Sequence, residues 1–114
     1  MKIEELVKMV DAKLICGESK LNNEIKVAFA SDLMSDVLRV DKNNILLVTG
    51  LANLQTIRTA EMADITYILF VRGKKASPEM IEIAEENGML IMESEYSMFR
   101  CSGLLFQAGI KPIF

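Results

Sequence analysis

Three features of the sequence predict an α/β domain of three layers, with a mostly parallel sheet of about five strands flanked by helices. The apolar runs Ile45-Leu46-Leu47-Val48-Thr49, Tyr67-Ile68-Leu69-Phe70-Val71 and Met89-Leu90-Ile91-Met92 do not alternate apolar with polar residues. A strand with one wet face would alternate, so these read as strands covered on both faces. Each of the first two runs is followed by a turn and then by a polar-capped helical pattern, over residues 53–64 and 77–87. Strand, helix, strand, helix and strand in that order form a parallel βαβαβ unit. The loops that leave the carboxyl ends of such strands gather on one edge, which places residues 50–53, 72–76 and 93–95 side by side and makes that edge the place to seek a site.

The remaining elements follow in chain order. Ile3, Leu6, Val7 and Val10 recur at helical spacing among charged residues, so residues 2–10 form an amphipathic helix. Residues 12–16 are a short strand at an edge of the sheet, ended by Gly17, and residues 18–24 carry the turn-forming residues of a surface loop. Residues 25–30 are the next strand. Ser31 and Asp32 then offer caps for a helix over residues 33–40, and residues 41–44 turn the chain back into the central unit. Arg58 and Glu61, three apart in the helix after Asn53, are placed to pair. The helix after Ser77 has the clearest signals, with Pro78 at its first position, Glu79 near its positive end and Asn87-Gly88 as its stop. Ser94 or Glu95 is the expected cap of a last helix to about residue 108, apolar on several sides through Tyr96, Met98, Phe99, Cys101, Leu104, Leu105 and Phe106. Gly109 stops it, and the tail 111–114 adds apolar cover.

With 114 residues the chain is read as one domain over residues 1–114. A net charge of −3 with mixed signs throughout argues against nucleic acid as a partner. No signal peptide and no apolar run of spanning length occur, so no membrane association and a cytoplasmic location are expected. Cys16 and Cys101 read as reduced thiols packed in a core. The absence of histidine removes Ser-His-Asp and Cys-His sites, His-ligated metals and an imidazole base. No catalytic residues, metal or cofactor are expected. A hydrophobic share of 51% with eight methionines exceeds what one small core hides, which points to a homodimer with the last helix at its interface.

The strongest local signal for chemistry is Arg72-Gly73-Lys74-Lys75-Ala76-Ser77-Pro78, where three cations and a glycine precede a helix start. Free N–H groups and a positive dipole end there would stabilise a phosphate or carboxylate. With Gly50 and Asn53 from the preceding loop, the candidate ligand-binding residues are Gly50, Asn53, Arg72, Gly73, Lys74 and Ser77. The alternative is a solvated charged turn. No dinucleotide fingerprint or P-loop is present. Asp32 and Glu93 both follow strands and could form an acid-base pair, but a helix cap and an exposed loop residue are the simpler readings. Ser31, Ser94 and Ser97 likewise read as caps and loop residues, since nothing is present to activate them.

The stretches Leu6-Val7, Leu14-Ile15-Cys16-Gly17, residues 21–27, Ala30-Ser31-Asp32-Leu33-Met34 and residues 45–98 together resemble the DRTGG domain. That family is also met as the N-terminal portion of HPr kinase/phosphorylase and as a middle segment of long bacterial phosphotransacetylases. The chain reads Gly50-Leu51-Ala52 where the family has an Asp-Arg turn, and Val71-Arg72-Gly73-Lys74 where it has Thr-Gly-Gly, so only Gly50 and Gly73 carry over. The resemblance implies a non-catalytic accessory domain found beside nucleotide-sensing CBS domains and given to dimer contacts. On that basis the expected function is a bacterial regulatory or partner-binding homodimer, acting with a separately encoded protein partner. The alternatives are a module that binds an adenine nucleotide or other phosphate anion, and, by analogy only, an enzyme of acyl or phosphoryl transfer.

Overall fold

The computed structural model describes residues 1–40 and 44–114, so most of the turn expected at 41–44 lies outside the described residues. The elements are α1 (Ile3–Met9), β1 (Ala12–Cys16), a 3-10 turn (Glu18–Lys20), β2 (Val27–Ala30), α2 (Met34–Val37), β3 (Ile45–Thr49), α3 (Leu54–Met62), β4 (Tyr67–Phe70), α4 (Pro78–Glu86), β5 (Leu90–Ser94), α5 (Met98–Gln107) and β6 (Lys111–Pro112). They build a six-stranded sheet in the order β1-β5-β4-β3-β2-β6. Every neighbouring pair is parallel except the edge pair β1 and β5, which is antiparallel.

Alternation along the buried strands separates two cores. Leu46, Val48, Tyr67, Leu69, Leu90 and Met92 pack on one face with Ile3 and Leu6 of α1 and Cys101 and Leu105 of α5. Leu47, Ile68, Phe70 and Ile91 point the other way, onto Met34 and Val37 of α2, Ile57 and Ala60 of α3, and Met80 and Ala84 of α4. Every residue of β3, β4 and β5 is buried. Each large apolar side chain there contributes about 1.5–3 kcal/mol, so both covers stabilise the sheet. The long helices begin where the sequence caps them. Asn53 accepts from the Thr56 N–H at 2.9 Å, Ser77 from Met80 at 3.2 Å and Ser97 from Arg100 at 3.1 Å.

Several expected boundaries shift. β2 begins at Val27, because the Ile25 N–H is taken by the Met1 carbonyl at 2.8 Å. α2 is a single turn, and its N-cap Leu33 contributes no side-chain hydrogen bond. β5 continues to Ser94, since β4 pairs with it through Glu93 and β1 through Ser94. Ser97 therefore caps α5 in place of Ser94 or Glu95. The tail is a sixth strand, β6, added beside β2 through the Lys111 N–H, which donates to the Lys26 carbonyl at 2.9 Å. Two residues, one of them a proline, give no strand pattern to read. Arg58 and Glu61 form no ion pair among the described residues.

Leu69→Ala, at the centre of β4, is expected to lower unfolding free energy by about 2–5 kcal/mol, and Ser77→Ala by about 1 kcal/mol. Urea denaturation of the two variants checks this order, and a smaller loss for Leu69→Ala would contradict a core centred on β4.

Candidate functional site

The parallel strands carry their following loops to one edge of the sheet, where the side chains form two polar groups, one about Asp32 and one about Glu93, bridged by the backbone of Arg72 and Gly73. Arg72 leaves β4 in a left-handed backbone conformation, φ 61°, which costs a non-glycine residue about 1 kcal/mol or more. Backbone hydrogen bonds hold it there: the Arg72 N–H donates to the Tyr96 carbonyl at 2.8 Å and the Gly73 N–H to the Ser94 carbonyl at 3.0 Å. The turn sends the guanidinium back over the end of β3. Nη1 donates to Asp32 Oδ2 at 3.0 Å, and Nη2 reaches the Gly50 carbonyl at 3.4 Å. A Cβ at Gly50 would overlap the guanidinium, so this close approach requires glycine.

Asp32 is the hub of this half. Its Oδ1 accepts from the Gly50 N–H at 2.7 Å and from the Thr49 hydroxyl at 3.0 Å. One carboxylate thus ties the segment after β2 to the ends of β3 and β4. Burial pushes the Asp32 carboxyl upward, but hydrogen bonds from Gly50, Arg72 and Thr49, together with the Arg72 charge, outweigh it and hold the group below its ordinary range. The half-exposed ion pair keeps one side of the guanidinium open to solvent.

Glu93 anchors the other half. Its side chain is buried within β5, and Oε2 accepts from the Ala76 N–H at 2.7 Å. Lys75 Nζ lies 3.8 Å from Glu93 Oε1 and 3.3 Å from Glu95 Oε1. A carboxylate of the protein itself therefore stands at the approach to α4, where negative charge is favoured. Gly73, at φ 71°, completes the turn with its Cα against the Glu95 carboxylate.

Of the candidate residues, Gly50 and Arg72 are in direct contact, and Gly73 joins them to the Ser94 and Glu95 backbone and side chain. Asn53 and Ser77 are turned to their own helices as caps. Lys74 is exposed and forms no ion pair among the described residues. Asp32 corrects the sequence reading, since it binds across strands instead of capping α2. Glu93 corrects it too, being a buried strand residue and not an exposed loop one. Ser94 is buried, and its hydroxyl donates to the Val10 carbonyl at 2.7 Å. Asp32 and Arg72 lie 40 residues apart, so no local pattern couples them; the position of Asp32 just after a strand was the one available signal. Burial pushes the thiols of Cys16 and Cys101 upward, and they sit in the two separate cores. Among the described residues no group of side chains is suited to hold a metal ion, and no helix is long and apolar enough to cross a membrane.

The Asp32 latch carries a pH signature. Because its folded pKa is depressed, its contribution is present above the ordinary aspartate value of about 3.9 and is lost as pH falls through the folded value. Asp32→Asn is expected to cost about 1 kcal/mol at pH 7, the pair being screened by solvent. The gap between the two proteins should close as pH falls below about 4. Urea midpoints at pH 7, 5 and 3 test this, and a gap that stays constant would show that Asp32 titrates alike in both states.

The sequence matches the DRTGG domain over residues 5–108. A search of curated proteins finds no match. Among solved structures, the fold is similar to the CBS and DRTGG domains of the regulatory region of Clostridium perfringens pyrophosphatase, complexed with its activator diadenosine tetraphosphate. The TM-score is 0.78 at 14% identity, covering 94% of this chain and 46% of that one. This chain therefore spans about half the length of that neighbour. The likeness lies in the backbone, and the matched profile extends from α1 to the end of α5. The chain belongs to the DRTGG domain family.

Proposed function

We propose that this chain is a non-enzymatic regulatory module of the bacterial cytoplasm that works as a homodimer and acts on a separately encoded protein partner. The observation that carries the reading is the outer face of α5, where Phe99 is 90% exposed and Phe106 69% exposed. Two phenylalanines on one helix leave apolar surface that a partner would bury. The state of the carboxylates at the edge and of the thiols in the two cores agrees with a role outside catalysis. Asp32 and Glu93 are committed to backbone N–H groups and cations, and the thiols are held protonated by burial. Sedimentation at micromolar concentration is expected to give the mass of two chains. A one-chain mass across that range would remove the homodimer.

A second reading, a module for an adenine nucleotide or other phosphate anion, is favoured by the strand edge. Arg72 presents a half-exposed guanidinium beside Gly50, and Lys74, two residues on, is exposed and forms no ion pair among the described residues. The neighbour of similar fold was solved with an adenine dinucleotide polyphosphate. Binding by calorimetry, with diadenosine tetraphosphate and ATP as probes, is expected to weaken at least tenfold in the double variant Arg72→Ala with Lys74→Ala, less so in high salt. Unchanged affinity in that variant would exclude this edge.

A further inference from the structure

Gly103 lies in the middle of α5, where glycine costs about 1 kcal/mol relative to alanine, and nothing among the described residues requires it. It is exposed, and a Cβ built there meets no atom of the described residues within 4 Å. Its neighbours explain it better than its own fold does. Phe99, Gly103 and Phe106 stand four and three residues apart and share one stripe of the helix. The buried seam through Cys101 and Leu105 lies on the other side. The stripe reads the same from both ends: a large ring, a small centre at Ser102 and Gly103, and a large ring. The only charged side chain of α5, Arg100, lies off this stripe, over the Tyr96 ring and 3.6 Å from its centroid.

The two ends of the stripe also differ in form, one a projecting ring and the other a groove. Phe99 projects freely at the N-terminal end. At the C-terminal end, beside Phe106, a groove of about 170 Å³ opens between α5 and the β2–β6 edge, lined by Ala28, Val48, Ser102, Leu105 and Ile110 among others. The lining is mostly apolar, so a phenyl ring is a fitting occupant. A twofold axis perpendicular to α5 near residues 102 and 103 reverses the helix and carries knob to socket twice, with the small residues at the crossing. Self-complementarity of this kind is the requirement of an isologous interface, and an unrelated partner would have no need of it.

Resting on the homodimer reading above, we infer that two copies of this chain pair through antiparallel α5 helices that cross at Gly103, with Phe99 of each copy seated in the groove beside the partner's Phe106. Gly103 permits the close approach of the two helices, as small residues do at helix crossings.

The test uses Gly103→Leu, which the free space around the residue allows to fold and whose better helix propensity leaves the single chain at least as stable. Sedimentation equilibrium should show self-association weakened at least tenfold, with circular dichroism of the dilute protein unchanged. In a second arm, a Phe99→Cys chain mixed with a Phe106→Cys chain should form a disulfide between the two readily, and Phe99→Cys alone should not, since the axis holds like positions apart. If the unaltered chain is monomeric, the dimer and this geometry both fall. If it is dimeric but Gly103→Leu associates with unchanged affinity, or Phe99→Cys links to itself faster than to Phe106→Cys, the dimer stands and this pairing is wrong.

Discussion

Burial of both faces of β3, β4 and β5 is the constraint on which the rest of this molecule depends. Strands with no wet face need a layer of helix on each side. The α3 and α4 crossovers supply one, and α1 and α5 the other. A helix between two neighbouring strands returns the chain to the same end of the sheet, so the strands run parallel and their exits share one edge. The polar cluster at that edge is a consequence of the topology. Asp32, Gly50, Arg72 and Glu93 come from four separate segments, and the crossovers bring all four to one edge, where Asp32, Gly50 and Arg72 are in contact and Glu93 holds the turn before α4.

Charge pairing gives the edge its character. A helix start preceded by cations is an invitation to an anion, and within this fold the first anions to answer are the protein's own. Glu93, buried in β5, takes the Ala76 N–H and lies near Lys75, while Asp32 takes the Arg72 guanidinium. The two carboxylates differ in kind. Glu93 is enclosed and belongs to the architecture, since removing it would leave the partly buried Ala76 N–H without its partner. Asp32 is half exposed, so solvent screens its pair and the guanidinium is held with less energy. Of the cationic groups at the edge, Arg72 is the one that combines a strained backbone, a glycine beneath it and an accessible face.

The opposite layer has a different logic. α5 buries one seam on the sheet and leaves a phenylalanine-bearing stripe outside it, and the adjoining groove exists because β6 covers only the start of β2. Regulation in such a domain needs a surface through which a change at the strand edge is felt elsewhere. α5 is joined to the edge directly through the segment from Ser94 to Ser97, whose Tyr96 carbonyl receives the Arg72 N–H. The turn that aims Arg72 and the start of α5 are thus one hydrogen-bonded unit, linking the polar edge to the apolar face.

The central βαβαβ unit, the caps Asn53 and Ser77 and the edge position of β1 were all legible in the sequence, because each follows from residues close together in the chain; the cap of α5 was not, since Ser97 fills the place expected of Ser94 or Glu95. Unbroken apolar runs report two-sided burial, and a Ser-Pro pair before a helical pattern reports its own hydrogen bond. Family membership was legible as well, through the same distributed pattern. Arg72 and Gly50 could be named as candidates, since a basic turn and a strand-ending glycine are local signals. Tertiary structure alone decided their partners. Asp32 could have capped its own helix, and only the register of β2 beside β3 places its carboxylate on Thr49 and Gly50 instead. Glu93 became buried because β1 and β4 extend β5 past Met92, which no property of residues 93–95 announces. β6 is two residues held by an edge formed 84 residues earlier in the chain, Val27 pairing with Lys111, and its sequence carries no strand signal. Short-range energies are written into neighbouring residues, whereas the pairing of distant charges depends on a register set by the whole core.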